Sequence, residues 1–286
     1  METGALPVSL ADGLLRHFRI EVVESKRMEI GALWRYDLQS PFWRLYAHQR
    51  SGASVTCAGR AFPLLPGRIH LIPSWVRFQT GTTRPVLQDF LHFYVTGFPP
   101  SLIRRLFDRP LLLPADGAID PLCRRWQAGL GGNGEKELGF TGLAWASALA
   151  HAATAMAMES LSADDREASL RALAGSIDIG PALEAIDRSL ASPPDNPVLA
   201  RLCDMSTDHF IRRFRGAVGM TPAQYGIERR ISIAARRLTS EGKTIDAVAE
   251  ETGFTDRFHF SRTFKARLGL SPAAYRKIQR RASAAG

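Results

Sequence analysis

Two arginines, Arg212 and Arg262, stand 50 residues apart in a chain of 286 residues. A guanidinium offers a rigid fork of donors, and that fork matches the O6 and N7 acceptors on a guanine edge. Three residues after each comes a second cation, Arg215 and Lys265, of the kind that contacts phosphate oxygens. Four residues before each, one turn earlier on the same helical face, stand Asp208 and Phe258. A carboxylate can accept from cytosine N4, and a phenyl ring can pack on a thymine methyl. The chemistry on offer is base reading flanked by phosphate contact, in two copies.

The elements that would position these groups are themselves repeated. The first copy reads Leu199-Ala200, Met205-Ser206, Phe210, Phe214, Gly219, Thr221-Pro222 and Tyr225. The second reads Val248-Ala249, Phe254-Thr255, Phe260, Phe264, Gly269, Ser271-Pro272 and Tyr275. The offset is 49 residues up to the turn and 50 from Phe210 and Phe260 onward. A period of that size marks two copies of one supersecondary unit. In each, a short helix (197–203 and 245–251) is followed by a turn, with Gly253 supplying a positive φ in the second. Ser206 and Thr255 are expected to N-cap the next helix. Phe210/Phe214 and Phe260/Phe264 share one inward face, Gly219 and Gly269 end the helices, and Pro222 and Pro272 prevent their continuation. A long helix over 223–239, striped by Ile227, Ile231, Ala234 and Leu238, is expected to join the two copies.

This double pattern resembles the AraC/XylS family of bacterial transcription regulators. The second copy carries the signature closely: Ile245-x-x-Val248-Ala249, Gly253-Phe254-x-Asp256, Phe260-Ser261-Arg262-x-Phe264-Lys265, and Gly269-x-Ser271-Pro272-x-x-Tyr275-Arg276. The resemblance implies two helix–turn–helix units entering successive major grooves. It places Thr207, Asp208, Ile211, Arg212 and Arg215 at the DNA surface of the first, and Arg257, Phe258, His259, Arg262 and Lys265 at that of the second. Phe258 departs from the small polar residue common there, and Asp208 is acidic on a DNA-facing surface. The resemblance also implies contact with RNA polymerase, and activation more often than repression.

Charge agrees with the repeat. The chain is +9 overall, and residues 181–286 hold 18 Lys+Arg against 11 Asp+Glu, a net +7. A surplus concentrated on one region is an electrostatic footprint for phosphates. Three cysteines, Cys57, Cys123 and Cys203, make no disulfide framework and read as core thiols. No apolar run reaches the length of a membrane span and no leader pattern opens the chain, so a cytoplasmic protein without a membrane partner is expected.

Residues 18–96 read as β structure. Candidate strands cover 19–24, 32–38, 42–49, 54–58, 68–72, 76–80 and 86–95, separated by Gly/Pro/Ser turns as in a sandwich or small barrel. The segment Phe62 to Pro73, with Pro63, Pro66-Gly67 and then Arg68-Ile69-His70-Leu71-Ile72, resembles the turn-then-strand centre of the cupin-like sensor domain found in many AraC/XylS regulators. The metal-binding cupin pattern requires His-x-His, which the chain lacks. His48, His70 and His92 lie on three separate strands; converging, they could ligate zinc or iron, but lone strand histidines are more often hydrogen-bonded. No cofactor and no metal are expected. There is also no nucleophile–base arrangement, no phosphate-cradling loop and no paired carboxylates, so no catalytic residue is assigned and the chain reads as a non-enzyme. A pocket for a small-molecule effector would draw on Trp34, Arg44, His48, His70, Trp75, Arg77, His92 and Tyr94. Both faces of 42–49 carry an aromatic residue, so the pattern does not say which face is interior.

Helical patterning follows Pro99-Pro100. Segments 101–107, 120–130 and 163–176 read as helices, Gly131-Gly132-Asn133-Gly134 as an exposed break, and 141–161 as a helix apolar nearly all round that must be buried against something. That helix serves equally well as an internal core helix or as the contact of a homodimer. The fold class is therefore α+β multidomain: a cupin-like domain (1–98), a helical linker and dimerisation segment (99–178), and an all-α DNA-binding domain with two helix–turn–helix units (179–281). The expected function is an effector-responsive regulator bound to double-stranded DNA. The alternatives are a cupin-type metal enzyme fused to a basic domain and a ligand-independent dimeric DNA-binding protein.

Overall fold

The computed structural model describes residues 18–96, 98, 100–115, 117–130, 138–239 and 243–284. The expected N-terminal arm before Phe18 and the break at Gly131–Gly134 lie outside the described residues, as do the side chains of Arg280 and Arg281. The chain forms two compact units. One comprises residues 20–95, 107–161 and 268–286; the other gathers Phe18 and Arg19 with 96–106 and 162–267.

Among the described residues the first unit is built on nine strands: β1 Arg19–Ile30, β2 Asp37–Leu38, β3 Trp43–His48, β4 Ala53–Cys57, β5 Arg60–Pro63, β6 Ile69–Ile72, β7 Phe78–Thr82, β8 Val86–Thr96 and β9 Leu111–Leu112. They form a five-stranded sheet, β1-β8-β3-β6-β9, and a four-stranded sheet, β2-β7-β4-β5. Alternation is clean in β4, where Ala53, Val55 and Cys57 point inward while Ser54 and Thr56 are half-buried. One apolar core joins the two sheets: Met28, Ile30, Tyr46, Ile72, Val86 and Phe90 from the larger sheet meet Leu38, Val55, Cys57 and Phe78 from the smaller. The two-residue strands β2 and β9 and the hairpin strand β5 are too short to show a sequence period. The candidate strand at 32–38 shrinks to β2, because a turn at Gly31–Trp34 (Trp34 N–H to Gly31 carbonyl, 2.8 Å) takes the residues before it.

Every residue of β3 is buried, which is why its pattern could not tell inside from outside. Its pairings resolve the matter. Tyr46 lies between Phe90 and His70, and Arg44 between His92 and Ile72, so these side chains share the inner face. Trp43, Leu45 and Ala47 point the other way, with Phe93, Leu91 and Asp89 beside them. Trp43 stacks on Phe93 and meets Phe107 edge-on. Helix α2 (Ile119–Gly129) is tied to this unit's strands: Trp126 Nε1 donates to Ser25 Oγ (2.7 Å), and Gln127 Nε2 to Asp89 (2.8 Å). Asp89, almost fully buried, is also clamped by Arg27 at 2.6 and 3.0 Å. Helix α3 (Phe140–Glu159) packs against α2, with Gly129 and Gly142 in close approach, and buries Ala146, Leu149, Ala150, Ala153 and Ala157. Its first turn leaves Phe140 92% and Leu143 47% exposed.

The second unit is helical. Helix α1 (Pro100–Leu106) and α4 (Ala163–Ile177) belong to it, followed by α5 (Gly180–Arg188), α6 (Asn196–Leu202), α7 (Thr207–Val218), α8 (Pro222–Thr239), α9 (Ile245–Glu251) and α10 (Arg257–Leu268). The segment 99–178 is therefore shared: α1 and α4 lie here, α2 and α3 with the sheets. The last helix, α11 (Pro272–Ala284), also belongs to the sheet-containing unit.

Candidate functional site

The helix pair α6–α7 is set by local chemistry. Asp195 caps α6: its Oδ1 accepts from the Val198 N–H at 3.0 Å and leaves Asn196 and Pro197 as the first helical residues. Ser206 caps α7 as expected, accepting from the His209 N–H. Gly219 ends it at φ +75° in the left-handed region. In the second pair, Thr244 caps α9 and Asp256 caps α10, its Oδ1 accepting from the His259 N–H at 2.7 Å. The expected cap, Thr255, stands one residue too early. The backbone N–H groups of His259 and Phe258, aided by nearby His259 and Arg262, hold the Asp256 carboxyl below the usual carboxylate range. Gly253 has φ +77°, and a Cβ placed there would lie 2.3 Å from Ala191 Cα, so only glycine fits this turn.

The phenylalanine pairs repeat in space as they do in sequence. Phe210 and Phe214 lie 5.6 Å apart at 64°, and Phe260 and Phe264 lie 5.5 Å apart at 64°; all four are fully buried. With those faces turned inward, the opposite faces of α7 and α10 reach solvent. Asp208, Arg212 and Arg215 are exposed on α7, and Arg257, Phe258, His259, Arg262 and Lys265 on α10. Thr207 is half-buried, and Ile211 is half-buried against the core of its own unit, so Ile211 contributes packing as well as surface. Arg257 leans toward Asp246 at 3.3 Å, and His259 sits edge-on to Phe254.

Two charged groups missed in the sequence fix the frame. Arg230 of α8 donates to the carbonyls of Leu190 (2.6 Å) and Gly253 (3.1 Å), joining α8 to the turn before α10. Glu228, 1% exposed, lies between Arg104 of α1 and Arg267 of α10, each at 3.2 Å. Neither stands on a recognisable motif, and long-range ion pairs leave no periodic signal. Ser101 of α1 donates to the Val218 carbonyl at the end of α7.

The expected effector residues divide. Arg44, His48, His70 and His92 are buried on strands β3, β6 and β8. Arg44 donates to Ser40 Oγ (2.7 Å), lies 3.3 Å from His92 Nε2, and stands over the Phe42 ring. His48 is 3.0 Å from Gln88 Oε1, and His70 Nε2 accepts from the Leu65 N–H. Burial pushes all three histidines down to about 4. Trp34 packs edge-on to Tyr46, and Tyr94 to Phe42. Trp75 is buried at φ +68°. Arg77 stands apart from this buried set, its side chain 63% exposed and paired with Asp37 at 2.8 Å. Among the described residues, no group of three His, Cys, Asp or Glu is placed to hold a metal. Cys57 and Cys123 are buried and Cys203 is half-buried, all free thiols.

From the sheet-containing unit's own C-terminal helix, Tyr275, Ile278 and Gln279 face the strands. Ile278 packs on the shared core, Gln279 Nε2 lies 3.4 Å from Ser40 Oγ, and Tyr275 is fully buried. Burial raises the Tyr275 hydroxyl above the usual phenol value.

A family profile described as a helix-turn-helix domain matches residues 199–278. The MmsAB operon regulatory protein of Pseudomonas aeruginosa is 37% identical over 79 residues, covering 28% of this chain and 26% of that protein. A putative AraC-like transcription regulator of Streptomyces lividans is 33% identical over 107 residues, 37% of this chain and 35% of its own length. Residues 199–278 are thus similar to the helix-turn-helix region of AraC-like transcription regulators. The matched region holds part of α6, all of α7 to α10 and the first half of α11. The chain spans about a quarter to a third of the length of these relatives. ToxT from Vibrio cholerae shares the fold at larger extent: TM-score 0.54 at 11% identity, over 90% of this chain and 97% of that one.

Proposed function

We propose that the chain is a sequence-specific DNA-binding transcription regulator, an activator, whose strand-rich region is a cupin-like sensor for a small-molecule effector. The observation that carries this is the pair of equivalent exposed faces, Asp208/Arg212/Arg215 and Phe258/Arg262/Lys265, held outward by matched buried phenylalanine pairs. In this reading α6–α7 and α9–α10 are two helix–turn–helix units, and α7 and α10 are recognition helices whose base blocks lie about one helical turn apart. Arg212 and Arg262 read guanine; Arg215 and Lys265 hold phosphate. The buried Arg44, His48, His70 and His92 line the effector site, and the exposed apolar first turn of α3, with Phe140 and Leu143, is the contact of a homodimer. RNA polymerase is the partner of the DNA-bound form.

The packed sheet core favours a second reading, in which the strand-rich region only dimerises. Trp34, Tyr46, Phe78 and Phe90 already fill its interior with side chains. Selection from random DNA with the full chain tests the first claim: an enriched motif with two blocks about one turn apart supports it, and salt-sensitive binding with no motif sinks it. A thermal-shift screen of small molecules on the same protein separates sensor from pure dimeriser, since a ligand that binds the folded state raises Tm.

A further inference from the structure

We infer that α10 reads a C5 methyl group: Phe258 selects a 5-methylpyrimidine about two base pairs from the guanine read by Arg262. The inference rests on the DNA-reading role proposed above.

Phe258 is 78% exposed, while its helix-mates Phe260 and Phe264 are 0% exposed. The core is complete without it, and a solvated phenyl ring on a basic helix costs hydration free energy until something apolar covers it. Phe258 is the second residue of α10, in the N-terminal turn that contacts base edges when such a helix enters the major groove. Its neighbours are occupied: Arg257 is drawn to Asp246, and His259 lies against Phe254. Arg262, four residues on and on the same face, has no hydrogen-bond or ion-pair partner among the described residues. Ring and guanidinium therefore form the outward pair of this helix.

The base edges of the major groove carry one apolar substituent, the C5 methyl of thymine. Four residues advance about 6 Å along a helix, against about 3.4 Å per base step, which sets the separation of the two readings at about two base pairs. On α7 the equivalent position is Asp208, a carboxylate, so the two base blocks differ in chemistry. Methylated cytosine presents the same methyl group at the same ring position as thymine. Cytosine methylation at this one position therefore converts a poor base into an acceptable one.

The test uses the full chain and the motif it selects. The Arg262 block is the one whose guanine preference disappears in Arg262→Ala. Each thymine in that block is replaced singly by deoxyuridine, which keeps pairing and removes only the methyl. Fluorescence anisotropy should show a loss of about fourfold at one position, the value of one buried methyl. Replacing that thymine by cytosine should weaken binding, and 5-methylcytosine should recover part of the loss. Phe258→Ala should bind thymine and deoxyuridine duplexes alike, while Arg262→Ala keeps the methyl effect. Wild-type indifference to every deoxyuridine substitution, or methyl sensitivity that survives in Phe258→Ala, overturns the inference while leaving the DNA-reading role intact. Selection that yields no motif overturns both.

Discussion

The Arg44 guanidinium lies 3.3 Å from the His92 imidazole, and both are buried. Arginine only donates, so the His92 Nε2 facing it accepts, and the imidazole proton sits on Nδ1. That nitrogen is 3.6 Å from Glu24, so one neutral ring links a buried cation to a carboxylate. Burial alone would raise the Glu24 carboxyl, but the His92 hydrogen bond, the His92 charge once acid protonates that ring, and Lys26 bring it down to about 2.

This arrangement makes stability depend on acid. His48, His70 and His92 are held at about 4, against 6.5 unperturbed, so between those values the unfolded chain binds protons that the folded chain does not. Stability is fully present above pH 6.5 and falls as the pH drops toward 4; Glu24 extends the loss from about 4.5 down toward 2. Each histidine contributes at most about 3 kcal/mol across its window. Urea unfolding from pH 7 to 4 should show the decline, and His48→Gln should flatten it. A flat profile would show that these rings are protonated inside the fold.

Arg212→Ala and Arg262→Ala should each relax base preference at one position and cost about 1–3 kcal/mol of specific binding. Lys265→Ala should weaken all sequences alike and reduce the salt slope by about 1. Binding titrations across a base-substitution series at several salt concentrations separate the two behaviours. An unchanged preference in either arginine variant removes that residue from base reading.

The phenylalanine pairs explain why so much of the helical region was legible in sequence. Identical rings at i and i+4, an αL glycine and a proline recur in order, and each is demanded by local geometry. Thr255 failed as a cap because Asp256, one residue on, offers the stronger acceptor to the first free N–H groups. The strand-rich region was less readable because β3 is covered on both faces, so alternation carries no sign. Arg77 looked like its buried neighbours in sequence and differs only because Asp37 on the adjacent strand draws it outward. Arg230 and Glu228 were invisible because their partners are distant in sequence.

Phe264→Ala should cost about 3–5 kcal/mol, the range for emptying a buried aromatic site. The same change at Phe214 should match it within about 1 kcal/mol, since the two sites repeat in burial and ring geometry. Chemical denaturation followed by far-ultraviolet circular dichroism gives both values. A large asymmetry would mean that the copies do not share one packing solution.

Ser40→Ala removes the hydroxyl that accepts from Arg44 and lies 3.4 Å from Gln279 Nε2. Amide hydrogen exchange in α11 should quicken by about tenfold, as expected for the loss of about 1–1.5 kcal/mol of hydrogen bonding. Unchanged protection would show that Ile278 packing alone seats the helix.

The face of α11 that carries Tyr275, Ile278 and Gln279 has a practical consequence. An excised fragment beginning near α5 would keep that helix and lose the strands that cover it. A phenol, an isoleucine and an amide would then meet water together. Such a fragment is expected to self-associate or to fray at its end, whereas the intact chain supplies its own solubilising cover.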